Sequence, residues 1–158
     1  MGKINYGRVI LGGVVAGIVA TILDGFSQGV LLDQLMKDFA KSINRPNPIS
    51  GAAIFGMILV DIVGGIAAVW TYAAIRPRFG AGTRTAVYAG LITWVFVCLP
   101  SIAQTLGGLF PPNLTLYLNA LGLVTSVVAT VAGAALYKEP ESTAADYSVA
   151  AEARHAMR

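Results

Sequence analysis

Apolar residues fall in four long blocks, at about 9–31, 52–75, 86–107 and 114–137, separated by short polar or glycine- and proline-rich breaks. A helix that crosses a bilayer needs about 20 apolar residues. Each block meets that length. The second half of the chain is the clearest case: from residue 85 to residue 137 there are 53 positions without Asp, Glu, Lys or Arg. Gly107-Gly108-Leu109-Phe110-Pro111-Pro112-Asn113 divides that stretch into two spans. The pattern predicts an all-α, four-helix transmembrane bundle over residues 1–138 and a polar tail over 139–158. Short connections make each span antiparallel to the next.

The first loop has a different period. Leu32, Leu35, Met36, Phe39 and Ile43 recur at helical spacing, while Asp33, Gln34, Lys37, Asp38, Lys41 and Ser42 fill the opposite face. This predicts an amphipathic helix, lying in the interface or prolonging the first span. Arg45-Pro46-Asn47-Pro48 ends it, and Ser50 is placed to cap the second span. In the tail Pro140 is a breaker, with a short helix expected near 150–154. Lys3 and Arg8 before an apolar run also suit a signal peptide. The run passes Ala20 without a convincing small-x-small cleavage site, which favours a retained span.

Composition agrees with the bilayer reading. Charged residues make up 12% of the chain, against about 25% in soluble domains. The net charge of +3 does not mark a nucleic-acid binder, because the basic residues flank the apolar blocks instead of forming a patch. Lys3, Arg8, Arg76, Arg78, Arg84 and Lys138 fall at one end of the spans, and Lys37, Lys41 and Arg45 at the other. That bias places both termini in the cytoplasm. Arg76, Arg78 and Arg84 are also candidates for contact with anionic lipid headgroups. The single cysteine, Cys98, lies mid-span and the single histidine, His155, lies in the tail, so no metal site or cofactor is expected.

The candidate chemistry is two aspartates inside the spans. Intramembrane carboxyls are expensive and commonly functional. Asp24 lies 15 residues after Val9 and Asp61 lies 14 before Ile75. At about 1.5 Å per residue both stand roughly 20 Å above the same boundary. Two carboxyls that close in low dielectric do not both ionise easily, so one holds a proton or a cation bridges them. Gln28, Ser101, Gln104 and Asn119 fall near that height, with Ser27, and complete a predicted polar layer. Pro100 is expected to kink the third span. Glycines and other small residues line the Asp24, Asp61 and Asn119 faces, which suits close helix approach. Gly13-x-x-x-Gly17 and Gly25-x-x-x-Gly29 are read as packing within the chain, with a dimer face as the alternative. Trp70, Tyr72 and Trp94 are read as interfacial belt residues.

Asn5-Tyr6-Gly7-Arg8-Val9-Ile10-Leu11-Gly12-Gly13, Trp70-Thr71-Tyr72-Ala73-Ala74-Ile75-Arg76-Pro77-Arg78-Phe79-Gly80 and Leu109-Phe110-Pro111-Pro112 together resemble a family of small bacterial four-span membrane proteins of uncharacterised function. The resemblance implies multi-pass residence in a bacterial inner (plasma) membrane. It implies no activity and no catalytic residues.

Two functional classes follow. The first is a structural or interaction protein whose polar layer fixes helix packing, with the lipid bilayer as partner and a homo-oligomer or larger membrane complex as its setting. The alternative is a proton- or cation-coupled carrier or channel that uses Asp24 and Asp61. An enzyme is not expected, since no nucleophile–base pair or phosphate loop is present. Water access separates the classes. Few polar side chains are predicted inward of the layer, which leans toward the structural class.

Overall fold

The computed structural model describes residues 4–45 and 49–138. They form α1 (Tyr6–Phe26), α2 (Asp33–Ser42), α3 (Gly51–Phe79), α4 (Thr83–Leu106) and α5 (Pro112–Ala134), and a π-helical turn at Ser27–Leu31 prolongs α1. No strand occurs among the described residues. Four helical segments are long and apolar enough to cross a membrane: Tyr6–Leu31, Gly51–Phe79, Thr83–Leu106 and Pro112–Ala134. The chain is an all-α four-helix bundle with the character of a multi-pass membrane protein. The break expected at 46–48 and the tail with its helix near 150–154 lie outside the described residues.

The helices begin and end where local chemistry permits. The Asn5 side chain accepts from the Arg8 amide at 3.2 Å, and the Ser50 hydroxyl accepts from the Ala53 amide at 3.2 Å. Both satisfy amides that a helix start leaves without partners. At the far end of α3 the chain reverses within residues 80–82. Gly80 and Gly82 hold φ values of +85° and +131° there, which other residues rarely adopt. The Tyr72 hydroxyl accepts from the Gly82 amide at 3.2 Å, and Thr85 donates to the Gly80 carbonyl at 2.7 Å. α4 runs unbroken through Pro100.

α1 packs against α3 and α5, and α4 packs against α5 and α3, so α1 and α4 face each other across the diagonal. One end of the bundle carries the start of α1, the α3–α4 turn and the end of α5; we call it the terminal end. The loop end carries α2 and the α4–α5 loop. α2 is amphipathic as predicted: Leu35, Met36 and Phe39 are half-buried while Gln34, Lys37 and Asp38 are exposed. Phe39 stacks on Phe110 of the α4–α5 loop with ring centroids 5.1 Å apart, so α2 reaches across that end.

Lipid chains are as apolar as leucine, so spans associate through close van der Waals approach instead of hydrophobic burial. Glycine supplies that approach here. A Cβ added at Gly17 would stand 2.5 Å from the Ile62 Cα, and one at Gly65 would meet the backbone of both Gly13 and Gly17. On the other face of α1, a Cβ at Gly12 would stand 2.5 Å from the Gly133 carbonyl oxygen of α5. The Gly13–Gly17 pair therefore packs within the chain.

The buried positions of α1 and α3 are confined to one half of the molecule. The buried residues of α1 run from Val9 to Gly17 and those of α3 from Gly65 to Ala73. Both sets lie in the terminal half. Ala16, Val69 and Ala89 have no exposed surface there. Tyr72 and Tyr137 pack edge to face at 5.9 Å, and Arg76 stands 5.5 Å over the Tyr137 ring. Tyr72, read from sequence as a belt residue, is thus a core residue that is 4% exposed. Toward the loop end, α3 has no buried residue before Gly65.

Adjacent glycines test this packing. Gly65→Ala forces a methyl into the backbone of α1 and is expected to destabilise the protein by about 1–3 kcal/mol, the usual range for overpacking. Gly64→Ala meets nothing within 4 Å, so it is expected to change stability by less than about 0.5 kcal/mol or to raise it slightly. Thermal unfolding in mild detergent measures both.

Candidate functional site

α1 and α3 carry the two aspartates, and the glycine contact between these helices sets their spacing. Gly17 sits on the Asp61–Ile62 backbone. One turn further along α1, the Thr21 hydroxyl donates to Asp61 Oδ2 at 2.9 Å. One turn beyond that lies Asp24, which interacts with the Thr125 hydroxyl of α5 and is within electrostatic reach of Asp61. Both aspartates are partly exposed within the bundle.

Two cavities meet at this pair. An inner cavity of about 240 Å³ is lined by all four spanning helices and extends toward Ala68 and Thr130, and it is open at its side, where Val60 and Val97 of its wall are exposed. An outer vestibule of about 880 Å³ lies under α2 and reaches Lys37, Arg45 and Ile49. Asp24, Val60 and Asp61 line both. The Lys37–Asp33 ion pair lies on the vestibule rim (2.6 Å), with side chains 47% and 44% exposed. Beyond the inner cavity the packed core of Val69, Tyr72 and Tyr137 occupies the terminal end.

Absent side chains help make this space. Gly25, Gly29 and Gly56 line the vestibule, Gly64 and Gly122 line the inner cavity, and an added Cβ at any of the five would meet nothing within 4 Å. The glycines thus divide into those that let helices touch and those that hold a void open. The Gly25–Gly29 pair belongs to the second kind. The π-turn at Ser27–Leu31 begins three residues after Asp24, with the Leu32 amide donating to the Ser27 carbonyl at 2.9 Å. Such turns shift helical phase and recur at functional sites.

The predicted polar layer divides into two groups. Asp24 and Asp61 come together with Thr21 and Thr125, and Gln28 stands on the vestibule wall. Ser101 and Asn119 form a separate pair on α4 and α5. Asn119 Nδ2 donates to Ser101 Oγ at 2.8 Å and to the Thr115 carbonyl at 2.9 Å, while Ser101 Oγ lies 3.0 Å from Asn119 Oδ1. Asn119 also lines the inner cavity. Gln104 joins neither group: it is exposed, with its amide donating at 3.3 Å to the Pro100 carbonyl of its own helix. Ser27 is buried and lines neither cavity.

The α4–α5 pair is bonded along its length. Thr105 and Thr115 pair near the loop end, Trp94 Nε1 donates to the Asn119 carbonyl at 2.9 Å, and Ser126 donates to the Gly90 carbonyl at 2.8 Å. Trp94 is therefore a cavity residue and not a belt residue, whereas Trp70 is 49% exposed. The expectation of few polar groups inward of the aspartates is also corrected. Thr93, Thr125, Ser126 and Thr130 all line the inner cavity, because α4 and α5 turn polar faces into it.

Sequence reasoning missed Thr125 and Trp94 as members of this region. Thr125 sits beside Ser126, which has the helical phase of Asn119, so a one-residue error in face assignment hid it. Of the basic residues at the terminal end, Arg78 and Arg84 are exposed and Arg76 is half-buried. Arg84 Nε donates to the Tyr88 hydroxyl at 2.8 Å.

Comparison with family models, curated proteins and solved structures finds no match to this chain.

The Ser101–Asn119 pair has a measurable weight. A double-mutant cycle with Ser101→Ala and Asn119→Ala is expected to give a coupling of about 0.6–1.7 kcal/mol, the range for hydrogen bonds between membrane helices. Thermal or denaturant unfolding of the four proteins reads it.

Proposed function

We propose that this protein is a carrier or channel for protons or small cations, with Asp24 and Asp61 as its binding pair. The observation that supports this reading is that the two carboxyl groups form the shared wall of an outer vestibule and an inner cavity. A purely structural pair would be enclosed by packing atoms. Here other residues share the packing role. α4 and α5 are held by Trp94, Ser101, Thr105, Thr115 and Asn119, and α1 and α3 by glycine contacts. Each aspartate makes one contact to a threonine of a neighbouring helix and also lines both cavities.

In this reading a cation enters from the loop end, passes beneath α2 and reaches the carboxyl pair. Thr21 holds Asp61 and Thr125 faces Asp24, which orients both carboxyls. The setting we propose is a bacterial inner membrane with both termini cytoplasmic, so that the vestibule faces outward. Arg78 and Arg84 lie at the headgroup level of the inner leaflet in that orientation. The weakly packed first half of α3 is available for contact between copies in a homo-oligomer.

Reconstituted proteoliposomes carrying a pH-sensitive dye inside test the site. Wild-type protein is expected to pass protons or to exchange them for an applied cation. Asp24→Asn and Asp61→Asn are each expected to lower that flux about tenfold or more while the fold is retained, and Gln104→Ala is expected to leave it unchanged. Full flux in both Asp variants would return the pair to a structural role.

Orientation has its own test, in a Cys98→Ser background in intact cells. Ala81→Cys and Ala145→Cys are expected to resist an impermeant thiol reagent applied outside, and Leu109→Cys to react. Labelling of Ala81→Cys from outside would invert the assignment.

A further inference from the structure

The composition of the inner cavity bears on what it holds. Most of its wall is aliphatic, including Ala20, Val60, Ala68, Val97, Leu118 and Ala129. Most of its hydroxyl protons are already used: Thr93 donates to the Ala89 carbonyl at 3.0 Å, Ser126 to the Gly90 carbonyl at 2.8 Å and Thr130 to the Ser126 carbonyl at 2.7 Å. Among the described residues, Asp24 and Asp61 carry the only ionisable side chains on the wall. Facing the same space is Trp94, whose ring is fixed by its bond to the Asn119 carbonyl at 2.9 Å.

That combination matches one class of cation poorly and another well. A bare divalent ion such as calcium takes about six to eight oxygen ligands. Among the described residues no group of three or more His, Cys, Asp or Glu side chains comes together. An organic ammonium needs something different: a negative group for its charge, an aromatic face, and apolar walls for its substituents. The cavity wall carries two carboxyl groups, aliphatic side chains and one tryptophan, Trp94, to supply these. Gly64 and Gly122 also leave room for a body larger than a water molecule, within a volume of about 240 Å³.

We propose that the inner cavity binds a small organic monocation of the tertiary or quaternary ammonium class, with its charged nitrogen at Asp24 and Asp61 and its apolar substituent against Trp94. This rests on the carrier reading above and names its cargo. The vestibule admits the ion, and the aliphatic wall selects against strongly hydrated inorganic cations, which lose water without replacement there.

The test is equilibrium binding to the purified full-length protein in nanodiscs. The probe is benzyltrimethylammonium, with its neutral carbon isostere neopentylbenzene as control. Saturable binding of the cation and at least about tenfold weaker binding of the isostere are expected, since only the charge differs. Asp24→Asn is expected to weaken cation binding by about tenfold or more. Trp94→Leu is expected to weaken it by roughly fivefold to thirtyfold, and Trp94→Phe by much less, because Phe keeps the aromatic face. Gly122→Leu fills the cavity without meeting a neighbour at its Cβ, and it is expected to abolish binding in a protein that still folds.

Equal binding of cation and isostere would overturn the proposal, and so would full binding in the Gly122→Leu protein. The two readings fail separately. Aspartate-dependent proton or sodium flux without benzyltrimethylammonium binding would remove this cargo and leave the carrier reading intact. Absence of both flux and binding would remove both.

Discussion

The contact of α1 with α3 through Gly13, Gly17 and Gly65 is the constraint on which the rest depends. In hydrocarbon no solvent drives two apolar helices together. What holds them is dispersion, which falls steeply with distance. A methyl group at any of the three positions would separate the axes. The bond from Thr21 to Asp61, at 2.9 Å, exists only because the helices come that close one turn earlier. The height and proximity of the two aspartates are therefore consequences of backbone contact and not of attraction between the carboxyl groups, which repel one another when ionised.

The two halves of the bundle solve the same problem by different chemistry. α1 and α3 use bare backbone, which is inexpensive to bury because helical amides are already bonded within the helix. α4 and α5 carry polar side chains that reach across to one another or to backbone carbonyls. Each such bond is worth little alone in a membrane. Several along one interface fix the helices' rotation. That rotation turns Trp94, Asn119 and Ser126 toward the centre.

Much of this was legible in the sequence. The four apolar blocks are long and free of charge, and lipid imposes a length rule that few other folds share. The helix ends differ from the apolar limits by up to four residues, as at Phe79 after Ile75, because a helix continues into the interface as long as its backbone is capped. The common height of Asp24 and Asp61 could be read by counting residues along antiparallel spans. Rotation was harder. Ser101 and Asn119 lie near that height but pair with each other, and Gln104 turns outward. A count along the axis gives depth well, whereas the azimuth of a side chain depends on crossing angle and on phase. The π-turn after Asp24 carried no pattern of its own, since one extra residue in a turn leaves the apolar block continuous. The cavities were hidden for a related reason: a glycine that packs and a glycine that leaves a void look the same in a sequence.

The uneven burial along α3 has a consequence beyond the cavities. Residues from Gly65 to Ala73 include the buried positions of this helix, and none before Gly65 is buried. Opening a segment costs the contacts that it must give up. One span is therefore stiff at one end and softer at the other, and the carboxyl group of Asp61 rides near the boundary between the two.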